Sequence, residues 1–579
     1  MKSFACFRGI FAALSIMIAG AAVSSPPKTA EPWWRGAVLY EIYPRSFQDS
    51  DGDGLGDLNG ITQRLGHLQE LGVDAIWIAP MYPSPDVDFG YDISDHAAID
   101  PRLGTLADFD RLVREAKRRN IRVLADLVMN HTSDQHQWFV RSRSSRANPY
   151  AAWYIWHDGK RRGSTARPSP PNNWLSTFGG SAWQWSPERK QYYYHEFYRA
   201  QPDLNWRNPA VERAFFKVVD FWLDRGVDGF RLDAVSYIFE DPLLRDNPAA
   251  PGGGINAQGD PMLIEYRTEN QPGVIDLVRR LRQHMARRNP DSVLVGEASA
   301  PGADTLAEWY GGPALDALHL PMNLDLGFTR GFNLDVLRRK LVEAQTLVHG
   351  GQPLLVFDNH DGDRSIDRFG DGRNDDAIAK VIAALALTPR ATALLYQGQE
   401  IGMRTWRPTR REQVRDPIGR TGWPKDKGRD GSRTPMQWSG AKNAGFSAAD
   451  ATWLPVNPNY RTVNVGTQAD NPMSLFSWHR RLIALRRQHP ALLRGAMTFT
   501  HPDHPAVLAF ERRDPASGDV VAVALSFSPA AQTIAFGSPD QQRWCDLASS
   551  AGPSSGVMAD REIRLAPFEV RLLVRCPAR

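Results

Sequence analysis

The sequence predicts an α/β chain: a (β/α)8 TIM barrel with an insertion after its third strand and a C-terminal all-β sandwich domain. Short apolar, β-prone runs alternate with amphipathic helical stretches, the rhythm of a parallel sheet built from βα units. Three such runs end in a carboxylate: Gly229-Phe230-Arg231-Leu232-Asp233, Val293-Leu294-Val295-Gly296-Glu297, and Leu354-Leu355-Val356-Phe357, which leads into Asp358-Asn359-His360-Asp361. In a barrel the strand ends converge on one face, where the chemistry of that fold sits. Past about Gly495 strand-like runs such as 507–510 and 520–525 continue without helices, which reads as a β-sandwich.

A chain of 579 residues, 42% hydrophobic and 23% charged, can bury a sizeable core. Its formal net charge is only +4, and no block of Lys and Arg is interleaved with aromatics, so nucleic acid is not an expected partner. The default is a soluble enzyme acting on a small molecule.

Taken in order, the chain starts with Lys2 and Arg8, the apolar run 9–20 and the small residues Ala22-Val23-Ser24. Residues 1–24 therefore read as an export signal, the run being too short for a comfortable bilayer span, with a membrane anchor as the alternative. The expectation is an exported protein, periplasmic or secreted, with no membrane attachment after cleavage. Cys6 leaves with that segment. Cys545 and Cys576 remain, free to pair in an oxidising compartment or to sit as two thiols in a β-domain.

The barrel is assigned to 32–131 and 204–492, the insertion to 132–203 and the C-terminal domain to 493–579. After a first strand at 37–43 comes Asp49-Ser50-Asp51-Gly52-Asp53-Gly54-Leu55-Gly56-Asp57. Acids at positions 1, 3, 5 and 9, Gly at 6 and a carbonyl at 7 match the oxygen spacing of a Ca²⁺ loop, but Gly60 stands where a sensor has its bidentate Glu. A structural Ca²⁺ (or Mg²⁺) held by Asp49, Asp51, Asp53, the Leu55 carbonyl and Asp57 is expected, because four acids this close repel one another without a counter-ion. No organic cofactor is expected.

The βα rhythm then runs through a helix at 65–71, a strand at 73–79, a helix at 106–119 and a strand at 121–128 that leads into Asp126-Leu127-Val128-Met129-Asn130-His131. From about 132 to 201 it stops in a stretch rich in Trp, Tyr, Pro and Gly, long enough to be a functional loop. Its aromatics suit stacking on sugars, though for any single one a core position is favoured. A helix at 211–225, the strand bearing Arg231 and Asp233, and strands at 318–324, 354–357 and 393–397 bring the count to eight, and a helix follows at 473–487. Asp233 to Glu297 and Glu297 to Asp361 are each 64 residues apart, room for one long or two ordinary βα units.

The set Asp126 to His131, Gly229 to Asp233, Glu297 and Asn359-His360-Asp361 resembles the four signature motifs of the α-amylase superfamily of glycoside hydrolases. Gln201-Pro202-Asp203-Leu204-Asn205 and Gly428-Arg429-Asp430-Gly431-Ser432-Arg433-Thr434-Pro435-Met436-Gln437-Trp438 are similar to motifs of its oligo-1,6-glucosidase and α-glucosidase branch. The resemblance implies Asp233 as nucleophile, Glu297 as general acid/base and Asp361 as transition-state stabiliser. It implies further that Arg231, His131 and His360 hold the glucose, that Tyr91 is its stacking platform, and that Asp88 and Arg429 clamp its non-reducing end. Asp49 to Asp57 match the branch's cation loop. Ala234, after the nucleophile, would flank the next sugar, where Val tends to accompany α-1,6 and Thr α-1,4 preference.

The implied function is a retaining, exo-acting α-glucosidase on maltose and short α-glucosides, α-1,4 links favoured. A retaining glycosidase needs one ionised carboxylate and one protonated carboxyl about 5–5.5 Å apart. Arg231 is expected to lower the pKa of Asp233, and apolar surroundings to keep Glu297 protonated. A glucosyl transferase or a sucrose or trehalose isomerase would use the same residues. A non-catalytic binding relative would have lost carboxylates that this chain keeps.

Overall fold

In the computed structural model eight parallel strands close into a barrel: β1 (Val38–Ile42), β2 (Ala75–Ile78), β3 (Arg122–Val128), β4 (Gly229–Asp233), β5 (Val293–Glu297), β6 (Leu320–Met322), β7 (Leu354–Val356) and β8 (Thr392–Tyr396). Each pairs with its neighbours in sequence, and β8 closes on β1. The structure describes residues 31–161, 167–300, 302–322, 324, 326–346, 350–536, 543–552 and 562–576. The expected export signal lies outside them. Among the described residues no helix is long and apolar enough to cross a membrane.

The two faces of the strands build two cores, because successive side chains point to opposite sides of a pleated strand. Leu39, Trp77, Leu124, Val295, Leu320, Val356 and Leu394 fill the barrel interior. Val38, Tyr40, Ile42, Phe230 and Leu232 face outward and pack with helical residues such as Leu65, Leu68 and Phe109. Arg231 and Asp233 alternate with Phe230 and Leu232, so their shared face is the barrel interior. The same parity turns Glu41 inward with Leu39.

Local signals set the helix ends. Helix Leu58–Leu71 starts where the Asp57 side chain accepts the Gly60 N–H at 2.8 Å, a cap whose loss costs about 1 kcal/mol. It ends at Gly72, whose φ of 91° would strain any side chain. The 64-residue intervals resolve differently. Asp233 to Glu297 is one βα unit with a long excursion before helix Val274–Arg288, whereas Glu297 to Asp361 holds two units, through β6.

Within the insertion, strands Trp156–His157, Trp183–Ser186 and Gln191–Tyr194 form a three-stranded antiparallel sheet. Trp174, Trp183, Tyr192 and Tyr194 pack as a small core, so most of these aromatics are structural. Near the C-terminus a five-stranded and a two-stranded antiparallel sheet enclose another core, and Cys545 is disulfide-bonded to Cys576.

Candidate active site

The C-terminal ends of β4 and β5 and the loop after β7 bring Asp233, Glu297 and Asp361 to one cavity of about 520 Å³, within the size range of small-ligand sites. His131, His360, Tyr91, Asp88, Ala234 and Arg429 line it as well. A more open depression of about 890 Å³, lined by Asp86, Phe89, Arg415 and Trp453, holds none of the three acids.

Arg231 organises the centre. It is 1% exposed, and its Nη1 donates to Asp233 Oδ1 at 2.5 Å and to both Asp126 oxygens at 3.1 Å, while Nη2 donates to Glu297 Oε2 at 2.5 Å. The two sequence-predicted reactive carboxyls thus hang on the two terminal nitrogens of one guanidinium. A buried cation so placed is tolerated because both terminal nitrogens are paired with carboxylates and the Trp77 ring lies 4.8 Å from the guanidinium carbon, although Nε meets no hydrogen-bond partner. Register explains the arrangement: Asp126 on β3 lies directly across from Arg231, and Val128 from Asp233.

Asp361 is held apart, by Arg433 Nη2 at 2.7 Å, with Arg429 Nη1 at 3.5 Å and His360 Nε2 at 3.3 Å. At the other end Arg429 Nη2 donates to Asp88 Oδ1 at 2.6 Å while its Nε donates to Asp416 Oδ2 at 2.8 Å. Gln201 Nε2 donates to the second Asp88 oxygen at 3.1 Å and lies 3.0 Å from His131 Nε2. Tyr91 and His360 stack with ring centres 5.4 Å apart.

Electrostatics correct one expectation. Burial lifts the Asp233 carboxyl well above the usual carboxylate range, and Arg231 only opposes that rise, because the same guanidinium also serves Asp126 and Glu297. Asp126 is pushed up to about 6 by burial, again against Arg231. Asp361 goes the other way: burial would raise it, but its contact with the His360 imidazole and the charges of Arg433, Arg429 and Arg231 hold it well below its ordinary value. Nor are the surroundings of Glu297 apolar, since its side chain is 27% exposed and accepts from Arg231 and from the Ala234 N–H.

At the loop 49–57 one carboxylate oxygen each from Asp49, Asp51 and Asp57 lie within 4.8 Å of one another. Asp53 is not part of that group: its Oδ1 instead accepts the Leu55 N–H at 2.8 Å. Asp49 also accepts from the Gly52 and Gly54 N–H groups and from Ser447.

The model of the α-amylase catalytic domain matches residues 41–495, and that of the α-amylase C-terminal all-beta domain matches 500–562. The chain belongs to the α-amylase family. Among family members it is 44% identical over 476 residues to a "Probable alpha-glucosidase" of Rhizobium meliloti (strain 1021), covering 81% of this chain and 85% of that protein. It is 37% identical over 580 residues to the "Oligo-1,6-glucosidase" of Parageobacillus thermoglucosidasius, covering 94% and 99%. The crystal structure of the alpha-glucosyl transfer enzyme XgtA superposes with a TM-score of 0.86 at 40% identity, covering 94% of this chain and all of that one.

As an α-amylase family glycoside hydrolase the chain also uses residues to which sequence reasoning gave no role. Asp126 was visible only as part of a motif, and Gln201 likewise. Arg433 was visible only within the motif Gly428 to Trp438, and Asp416 comes from the long polar connection after β8, where no period or spacing marks it. Phe178, from the insertion, lines the cavity and lies 5.2 Å from the Arg429 guanidinium.

Proposed function

We propose that the protein is a retaining, exo-acting α-glucosidase that removes terminal glucose from maltose and short α-glucosides. The observation that carries this reading is Arg231 holding Asp233 and Glu297 on its two terminal nitrogens while Arg429, braced by Asp88 and Asp416, closes the far end of the cavity. Asp233 attacks the anomeric carbon, Glu297 gives its proton to the leaving oxygen and then takes one from water, and Asp361 steadies the oxocarbenium-like state. The clamp leaves room for one sugar beyond the scissile bond on the glucose side, hence exo action.

Glu269, Tyr237 and the Phe197 ring also line the cavity, and apart from Arg429 no Lys or Arg lines it among the described residues. This favours a neutral leaving sugar over a phosphorylated one, in contrast to the relative named "Trehalose-6-phosphate hydrolase" from Escherichia coli (strain K12), 39% identical over 511 residues. Transfer of glucose to a second sugar is the alternative reading, supported by the likeness to XgtA. Product analysis on maltose, isomaltose, sucrose and trehalose at low and high substrate separates them: glucose accumulation at all concentrations supports hydrolysis, and oligosaccharides or isomers as main products would overturn it.

Two further parts of the proposal concern context. A Ca²⁺ or Mg²⁺ at Asp49, Asp51 and Asp57 would tie the loop after β1 to the start of helix Leu58–Leu71, far in sequence from the acids. Export is supported by the charge and hydropathy pattern of residues 1–24 and by the disulfide between Cys545 and Cys576, a bond of oxidising compartments.

A further inference from the structure

Beneath His360 the barrel interior holds one more carboxyl, Glu41 on β1, which the reaction steps above do not use. Glu41 is 0% exposed and His360 1%. Glu41 Oε1 lies 2.5 Å from His360 Nδ1, and Oε2 meets no hydrogen-bond partner. An ionised carboxylate would leave that buried oxygen charged and unpaired, at a cost a neutral acid avoids.

The other edge of the imidazole settles the proton count. His360 Nε2 faces Asp361 Oδ2 at 3.3 Å and Tyr91 Oη at 2.7 Å. A lone pair on Nε2 would be aimed at the Asp361 carboxylate and repelled, whereas an Nε2–H donates. With Nε2 protonated, Nδ1 either accepts from a protonated Glu41 or is itself protonated on an imidazolium beside an ionised Glu41. Both cases place one proton in the 2.5 Å contact. Tyr91 Oη then accepts from Nε2–H and donates onward to Asp126 Oδ2 at 3.3 Å. His360 is stacked between the Tyr43 and Tyr91 rings, which keeps bulk water from trading that proton.

We propose that Glu41 and His360 share one retained proton, and that Glu41 is a positioning residue keeping His360 Nε2 a donor towards Asp361 and the bound glucose. The inference rests on the glycosidase reading. Burial pushes the Glu41 carboxyl well up and the His360 imidazole down to about 3, which puts the proton on Glu41. Of the groups facing the pair, Arg231 and the His360 backbone N–H favour an ionised Glu41 while Asp361 and Asp126 oppose it; Asp361 favours an imidazolium, and Arg433, Arg231 and Arg429 disfavour one, on top of burial. Tyr396 lies across from Glu41 on β8, and its own hydroxyl stays protonated. When the retained proton leaves at alkaline pH, Nε2 turns a lone pair to Asp361 and turnover falls.

The test is the pH profile of kcat/KM on p-nitrophenyl α-glucoside for wild type, Glu41→Gln and Glu41→Leu. The Gln amide donates to Nδ1 at every pH, so E41Q should keep activity within about threefold at the wild-type optimum and move the alkaline limb up by about one pH unit or more. E41L removes the donor and should lower kcat about tenfold or more with a smaller change in KM. If E41L fails to fold by circular dichroism, the E41Q profile decides alone. An alkaline limb identical in wild type and E41Q, or a folded E41L with wild-type kcat, would overturn the proposal. A wild type inert on every α-glucoside would instead overturn the functional reading beneath it.

Discussion

Arg429 Nη2 donates to Asp88 Oδ1 at 2.6 Å, joining residues 341 positions apart that both line the cavity, where the proposed reading has them clamp the terminal glucose. Asp416 accepts from the same guanidinium, so the clamp is preorganised before any sugar arrives. Arg429→Ala should cost about 2–5 kcal/mol of transition-state binding, because it removes one half of a buried hydrogen-bonded charge pair. The check is kcat/KM on maltose, together with first products from a maltooligosaccharide. Glucose should be the first product of the wild type. Release of maltose or longer fragments by the wild type would contradict the closed pocket.

The acid limb of activity follows from burial. Asp233 must be ionised to attack, and its carboxyl is lifted above the ordinary Asp value of about 3.9. Activity is therefore lost as pH falls through that raised value, at a higher pH than a solvent-exposed Asp would give. A kcat/KM profile on a neutral substrate should show it. An acid limb below about pH 3 would mean that Arg231 outweighs burial after all.

These two cases mark what the sequence carried and what it did not. Eight strand positions, the inward face of Arg231 and Asp233, and the gathering of Asp233, Glu297 and Asp361 were legible, because apolar alternation and acid-terminated runs are local patterns. The pKa of Asp233 was not. Its rise comes from burial, which one guanidinium shared among three carboxyls on β3, β4 and β5 does not offset, a fact of packing and register rather than of neighbouring letters. Glu41 was hidden for a similar reason: in Val38–Ile42 it reads as one polar residue in a strand, and only barrel closure sets it against a His 319 positions away.

Chelation of the proposed cation at the loop 49–57 should affect stability before rate. Asp49, Asp51 and Asp57 crowd three oxygens within 4.8 Å, and Asp57 also caps helix Leu58–Leu71. Treatment with EDTA should lower Tm clearly while leaving turnover at moderate temperature nearly unchanged, as read by calorimetry and a parallel assay. Metal analysis that finds no Ca²⁺ or Mg²⁺ in undenatured protein would refute the site.

Linkage preference should respond to Ala234→Val. Ala234 lines the cavity beyond Asp233 with φ 44° in the left-handed region. Added methyl groups narrow the wall beside the leaving sugar and should shift the maltose-to-isomaltose ratio of kcat/KM towards isomaltose by about 1–3 kcal/mol or less. A β-branched residue at that φ also adds strain, so Tm should fall as well. A wild type that clearly prefers isomaltose, or a ratio unmoved by the substitution, would place specificity elsewhere.

The central claim is that Asp233 forms a covalent bond to glucose. The most direct measurement is mass spectrometry of peptides from protein reacted with 5-fluoro-α-glucosyl fluoride. Its ring fluorine slows both steps by destabilising the oxocarbenium-like state, while the fluoride leaves without help from Glu297, so the intermediate accumulates. A 5-fluoroglucosyl adduct on the peptide carrying Asp233, absent in a folded and inactive Asp233→Asn variant, is the expected result. An adduct on Glu297 or Asp361, or an Asp233→Asn variant that turns over at the wild-type rate, would contradict it.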